Sequence, residues 1–131
     1  MTINLVIGSR LPAYATAMGR VLLAGLSAQA LGEYLDRATL APITTRTVTR
    51  REELTNILEQ VRERGWAMVD QEVEKGVRSV AAPIRDRARR VVAAINVSSH
   101  TSRVTLRDLR ATHLPVVIEA ARRISLALGG Q

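Results

Sequence analysis

Gly65-Trp66-Ala67-Met68-Val69-Asp70, then Val77-Arg78-Ser79-Val80-Ala81-Ala82-Pro83-Ile84, then Val91-Val92-Ala93-Ala94-Ile95-Asn96-Val97-Ser98 is the stretch that decides the fold. Each run is short, rich in β-branched residues and bounded by turn-forming residues: Glu74-Lys75-Gly76 after the first, Arg85-Asp86-Arg87 after the second and Ser98-Ser99-His100-Thr101-Ser102 after the third. Three strands over 66–70, 77–84 and 91–98 follow, paired antiparallel through the short turns. Strand side chains alternate between faces, so Val77 shares a face with Ser79, and Val92, Ala94, Asn96 and Ser98 share another. Small polar groups therefore gather at one end of a sheet. They have two readings: the first turn of the following loop, or the lining of a pocket.

Working outward, the segment before the strands reads as helical. Residues 3–7 form an apolar run ended by Gly8, read as a strand. Leu11 to Ala24 contains a helix capped at Thr16 or a neighbour, apolar nearly all round and therefore buried. Ser27 caps a second helix, in which Leu31, Tyr34 and Leu35 recur at helical spacing. Pro42 and the threonines from Thr44 to Thr49 make an extended connection. Thr49 with Glu52 fits a capping box, and Leu54, Ile57, Leu58 and Val61 line a third helix that ends at Gly65. Beyond the strands, Thr105 with Asp108 repeats the capping pattern, Pro115 breaks or restarts the helix, and apolar residues continue from Val116 to Leu128 before Gly129-Gly130. The order strand, three helices, three strands, helix defines one α+β domain.

Composition narrows the function. The 131 residues, 47% of them hydrophobic, suffice for one core. There is no apolar run long enough to cross a bilayer and no leader-type start, so no membrane role is expected and the chain reads as cytoplasmic. With no cysteine and two histidines, His100 and His113, neither a disulfide framework nor a metal site is expected. The net charge of +7 comes from arginines, Lys75 being the single lysine, but they are scattered and only Trp66, Tyr14 and Tyr34 could stack on bases. The densest group, Arg85, Arg87, Arg89 and Arg90, flanks a turn, where charges are normally solvated. Positive charge alone supplies only non-specific affinity for nucleic acid.

Candidate chemistry begins at the Tyr14-Ala15-Thr16-Ala17-Met18-Gly19 helix start. Helix N-termini present unpaired N–H groups and partial positive charge, so main-chain donors there can hold a carboxylate. The small residues equally serve close packing on the sheet. Paired with the polar strand ends, this helix start would complete a small pocket for an organic acid. Enzymatic machinery is harder to find. Asp70, Glu72 and Glu74 form an acidic series without a neighbouring histidine and read as solvated, no Gly-x-Ser-x-Gly elbow occurs, and the glycine spacings match no phosphate or dinucleotide loop. No enzyme activity and no cofactor are expected.

Taken together, Gly8-Ser9-Arg10-Leu11-Pro12-Ala13-Tyr14-Ala15-Thr16-Ala17-Met18-Gly19-Arg20-Val21-Leu22-Leu23-Ala24, Arg62-Glu63-Arg64-Gly65-Trp66-Ala67, Asp70-Gln71-Glu72, Gly76-Val77-Arg78-Ser79-Val80-Ala81-Ala82-Pro83-Ile84 and Ala93-Ala94-Ile95-Asn96-Val97-Ser98 resemble the effector-binding domain of IclR-family bacterial transcription regulators. The resemblance spans nearly the whole chain and is specific through five blocks in family order. It looks closest to the branch regulating protocatechuate, 4-hydroxybenzoate and β-ketoadipate catabolism. It implies a GAF-like antiparallel sheet flanked by helices, with a small organic acid bound between sheet and helix start. The positions matching the family's contacts are Ala17 and Met18 for the acid group, with Val77, Ser79, Asn96 and Ser98 beyond it. An acidic contact of the family falls on Val69, beside the retained Asp70, and a thiol position falls on Ser79. Both departures point to a larger or more apolar ligand than glyoxylate, an aromatic or dicarboxylic acid.

Family members also carry a winged helix-turn-helix, a linker helix, and an opening helix and strands ahead of the Gly8-Ser9-Arg10-Leu11-Pro12 block, near which this chain starts. The resemblance thus implies a partial effector domain over residues 1–131, operator DNA bound only through a part outside the chain, and a homodimer or homotetramer built partly on an open sheet edge. Two other functions stay open: an oligomerisation module with a vestigial pocket, and a basic nucleic-acid-binding fragment.

Overall fold

The computed structural model of the chain describes residues 7–129. Strands form where the sequence places them: β1 over Ala67–Asp70, β2 over Val77–Arg85 and β3 over Val91–His100. They pair antiparallel in the order β1-β2-β3. Val69, Ser79 and Ser98 lie in line across the three strands, two positions from the Ala81–Asn96 pair on the same face. A bulge between Ile84 and Arg85 closes the β2–β3 hairpin, whose turn is held by Asp86 and Arg90. Of the strand expected over residues 3–7, residues 3–6 fall outside the described residues and Ile7 belongs to a turn.

The sheet is covered on both faces. On one lie α1 (Ala17–Ala24), α2 (Ala28–Arg37) and α3 (Arg51–Arg64), which bury Val21, Leu23, Leu54, Leu58 and Val61 against Ala67, Val69 and Ala81. On the other, α4 (Leu106–Asp108) leads into a π turn over Leu109–His113 and then α5 (Leu114–Ala127), where Leu109, Leu114, Val117 and Ala121 pack on Val80, Ala82 and Ile84. This explains the unbroken apolar centre of β2. As the middle strand it is buried on both faces, so Val80, Ala81 and Ala82 are all interior. The result is the α+β architecture of an antiparallel sheet flanked by helices.

Local chemistry sets the helix ends. Thr16 Oγ1 accepts from the Gly19 amide, Ser27 Oγ from Ala30 and Thr105 Oγ1 from Asp108, each cap on its expected residue. Gly65 ends α3 in the left-handed region at φ 83, its amide bonded to the Val61 carbonyl. The expected Thr49–Glu52 capping box is not formed. Arg50 occupies the N-cap without a side-chain bond, and Glu52 and Glu53 sit in the first turn, where their charge favours the helix dipole. Of the two readings of Pro115, a break or a restart, the structure has the restart. The preceding turn widens to an i→i+5 bond from the Leu114 amide to Leu109, which carries the chain into α5 with the proline in its first turn.

Candidate functional site

A cavity of about 220 Å³ lies between the start of α1 and the polar end of the sheet. Ala17 and Met18 form one wall, Val69 and Val77 the apolar sides, and Ser79, Asn96 and Ser98 the floor. Seven of the eight residues singled out from the sequence thus meet around one space. The eighth, Asp70, does not. It occupies the opposite face of β1, across from Arg78, where its carboxylate accepts from Arg78 Nε at 3.0 Å and Arg46 at 3.2 Å. Strand alternation is the reason: neighbours in a strand cannot both point into the same cavity.

The floor is a hydrogen-bonded set. Ser79 Oγ and Ser98 Oγ are 2.7 Å apart on directly paired strands, and Asn96 Nδ2 donates to Ser98 Oγ at 3.2 Å. Two hydroxyls and an amide can match a ligand hydroxyl as donor or acceptor. At the opposite wall the Gly19 amide is taken by Thr16 at 3.0 Å and the Arg20 amide by the Thr16 carbonyl, but among the described residues no acceptor meets the amides of Ala17 and Met18. Those two donors, at the positive end of a helix, suit a carboxylate.

Close packing shapes this helix start. A 3-10 turn over Ala13–Ala15 folds back on α1, and a Cβ at Gly19 would collide with the Ala13 backbone. Gly19 therefore serves contact with that turn, which brings Ala15 to the cavity wall.

Sequence reasoning missed the group that ties the wall together. Glu72, read as solvated, is buried, and its carboxylate accepts from both terminal nitrogens of Arg20, at 2.8 and 2.5 Å, and from the Val48 amide at 2.9 Å. Arg20 Nε donates to the Tyr14 carbonyl at 2.9 Å. Gln71, at φ 60, breaks the strand alternation just before Glu72, and no spacing rule foretells that turn. The Thr44 and Thr47 hydroxyls donate to the carbonyls of Gln71 and Glu72, both at 2.6 Å, fastening the loop after β1 to the 43–48 connection. Glu74, also on the cavity wall, is exposed and has no cationic partner among the described residues. The acidic series thus divides into three roles: Asp70 bridges two arginines, Glu72 is a buried clamp and Glu74 is a free charge at the rim.

No cluster of three or more metal-ligating side chains occurs among the described residues. Many arginines are already committed to carboxylates, including Arg51 to Asp36, Arg90 to Asp86, and Arg122 and Arg123 to Glu119, which weakens the case for a nucleic-acid surface. No described helix is long and apolar enough to cross a membrane.

The chain is similar to several transcriptional regulators. The Pca regulon regulatory protein of Pseudomonas putida is 46% identical over 130 residues, which are 99% of this chain and 45% of that protein. The Rhodococcus sp. RHA1 protein RHA06195 superposes with a TM-score of 0.95 at 45% identity, over 98% of this chain and 52% of that one. The inducer-binding domain of the PobR transcription factor from Acinetobacter, a double mutant in complex with 3-hydroxy benzoic acid, superposes at 0.86 and 31% identity, over 90% of this chain and 67% of that one. The chain spans about half the length of the curated relatives it matches. Since residues 1–126 also match the family described as bacterial transcriptional regulator IclR C-terminal, the chain belongs to that family.

Proposed function

We propose that the chain is the effector-sensing domain of a bacterial transcriptional regulator and that its effector is a small hydroxylated aromatic monocarboxylic acid. The observation that carries this reading is the pairing, across one cavity, of the free Ala17 and Met18 amides with the Ser79, Asn96 and Ser98 floor. The acid group meets the amides, the ring lies between Val69 and Val77, and a ring hydroxyl reaches the floor. A volume of about 220 Å³, below the roughly 300–1,000 Å³ of drug-sized sites, suits a single-ring acid and no larger ligand. Glu74 at the rim opposes a second carboxylate, so a hydroxybenzoate fits better than a dicarboxylate. The bound complex of the PobR domain is in keeping with this choice.

The domain acts in this reading without catalysis. Among the described residues, the cavity lining offers no serine–histidine pair and no metal ligand set. Effector binding shifts the population of assembly states, a homodimer or homotetramer, that orient a DNA-binding part lying outside residues 1–131, in the cytoplasm. Self-association draws on the edge of β3, which pairs with no further strand among the described residues, and on exposed apolar side chains of the last helix and its end, Val116, Leu126 and Leu128.

Calorimetric titration with protocatechuate, 4-hydroxybenzoate, β-ketoadipate and pyruvate tests the reading. The two aromatic acids should bind most tightly, and Ser79→Leu or Asn96→Leu should abolish binding while far-UV circular dichroism stays unchanged. Absence of binding by any of the four at millimolar concentration, or unchanged affinity in both folded variants, overturns it.

A further inference from the structure

A second cavity, about 550 Å³, lies beside β1, the edge strand of the described sheet, and shares only Glu72 with the lining of the first. Ile57 and Arg64 of α3 stand on one side, Leu106 and Arg110 on the other, with Trp66 and Met68 between them. The Arg64 guanidinium stacks 3.7 Å from the centroid of the Trp66 ring, and that of Arg110 approaches the same ring to 5.5 Å. Two cations drawn to one ring repel each other; partial burial, and then the charge of Arg110, lower the Arg64 pKa. The acids of this cavity give no relief. Asp70 is held by Arg78 and Arg46, and Glu72 by Arg20. Arg64 Nε donates to the Trp66 carbonyl, and neither Arg64 nor Arg110 has a carboxylate partner among the described residues.

We propose that this cleft is a second ligand site, taking a compact organic dianion whose apolar body rests on Trp66, Met68 and Leu106 while its carboxylates meet Arg64 and Arg110. A bound dianion relieves the repulsion between the two guanidiniums and gains paired, charge-assisted hydrogen bonds that a lysine could not match in geometry. The apolar walls select a ligand with a carbon body over a bare inorganic anion.

Trp66, the single tryptophan of the chain, is a local reporter. Titration with phthalate at low ionic strength, under tryptophan-selective excitation, should give a saturable change in emission. Arg110→Gln and Arg64→Gln, both at exposed positions, should each raise the half-saturation concentration about tenfold, the loss of one charge-assisted contact. Ser79→Leu, which obstructs the first cavity, should leave this titration unchanged, and inorganic phosphate should bind more weakly than phthalate. The proposal is overturned by no saturable change, by a change that sodium chloride reproduces at equal ionic strength, by unaltered affinity in both arginine variants, by loss of the response in Ser79→Leu, or by phosphate binding as tightly as phthalate.

Discussion

Arg20 carries a guanidinium into the core with 2% of its surface exposed, and it remains there because all its bonds run to the backbone of Tyr14 or the carboxylate of Glu72. Removing one partner leaves the other charge stranded away from water, which costs about 3–5 kcal/mol. Glu72→Ala should therefore lower the free energy of unfolding by about that much in urea denaturation, whereas the double replacement Arg20→Met with Glu72→Leu should restore most of it. A single variant as stable as the parent would show that the pair does not hold the cavity wall. Around the cavity, identity matters less than parity. Val69 and Asp70 are adjacent, yet one lines the cavity and the other bridges Arg78 and Arg46 on the opposite face.

Elements draw their stability from both ends and faces. In α5, Glu119 accepts from Arg122 at 2.8 and 2.7 Å and from Arg123 at 3.1 Å, bonds that pull its pKa from 4.5 to about 2. A folded-state value below the unfolded one means that this contribution is complete above about pH 4.5 and is lost as the pH falls through about 2. The three side chains are exposed, so the effect is small. The melting temperature of the parent should exceed that of Glu119→Gln near neutrality, and the gap should close on acidification towards pH 2. A gap that widens at low pH would contradict the assignment. The same helix shows how context chooses between two readings of Pro115, break or restart: a widened turn ahead of it leaves Leu109 fully buried and starts α5 with the proline in its first turn.

At the scale of the whole molecule, two cores share one sheet. Leu54 anchors the layer of α1 and α3, and Leu109 the layer of α5, each with no exposed surface. Leu54→Ala and Leu109→Ala should each cost about 2–5 kcal/mol, and because the sheet separates them the double variant should lose the sum within about 0.5 kcal/mol. A shortfall well beyond that, in chemical denaturation, would mean that the layers are coupled through β2. Much of this architecture is legible in the residues. Strand alternation with turn residues marks β1 to β3, Thr16, Ser27 and Thr105 cap where their side chains require, and Gly65 ends α3 because the left-handed region suits glycine. The polar strand ends and the Ala17-Met18 helix start are visible as separate features. Their convergence on one cavity depends on the register Ser79 with Ser98 and on the crossing of α1 over the sheet, neither of which is local in the chain.

The amino-acid order by itself determined the element order from the first helix onward, the faces of the strands and the candidate groups for an organic acid, because these depend on periodicity and on side-chain chemistry within a few residues. Only the tertiary structure decided that Asp70 turns away from the cavity, that Glu72 enters the core to meet Arg20 across 52 positions, and that Arg64 and Arg110 converge on Trp66. The reason is distance along the chain: burial and pairing between remote charges are settled by how layers stack, which no local pattern encodes.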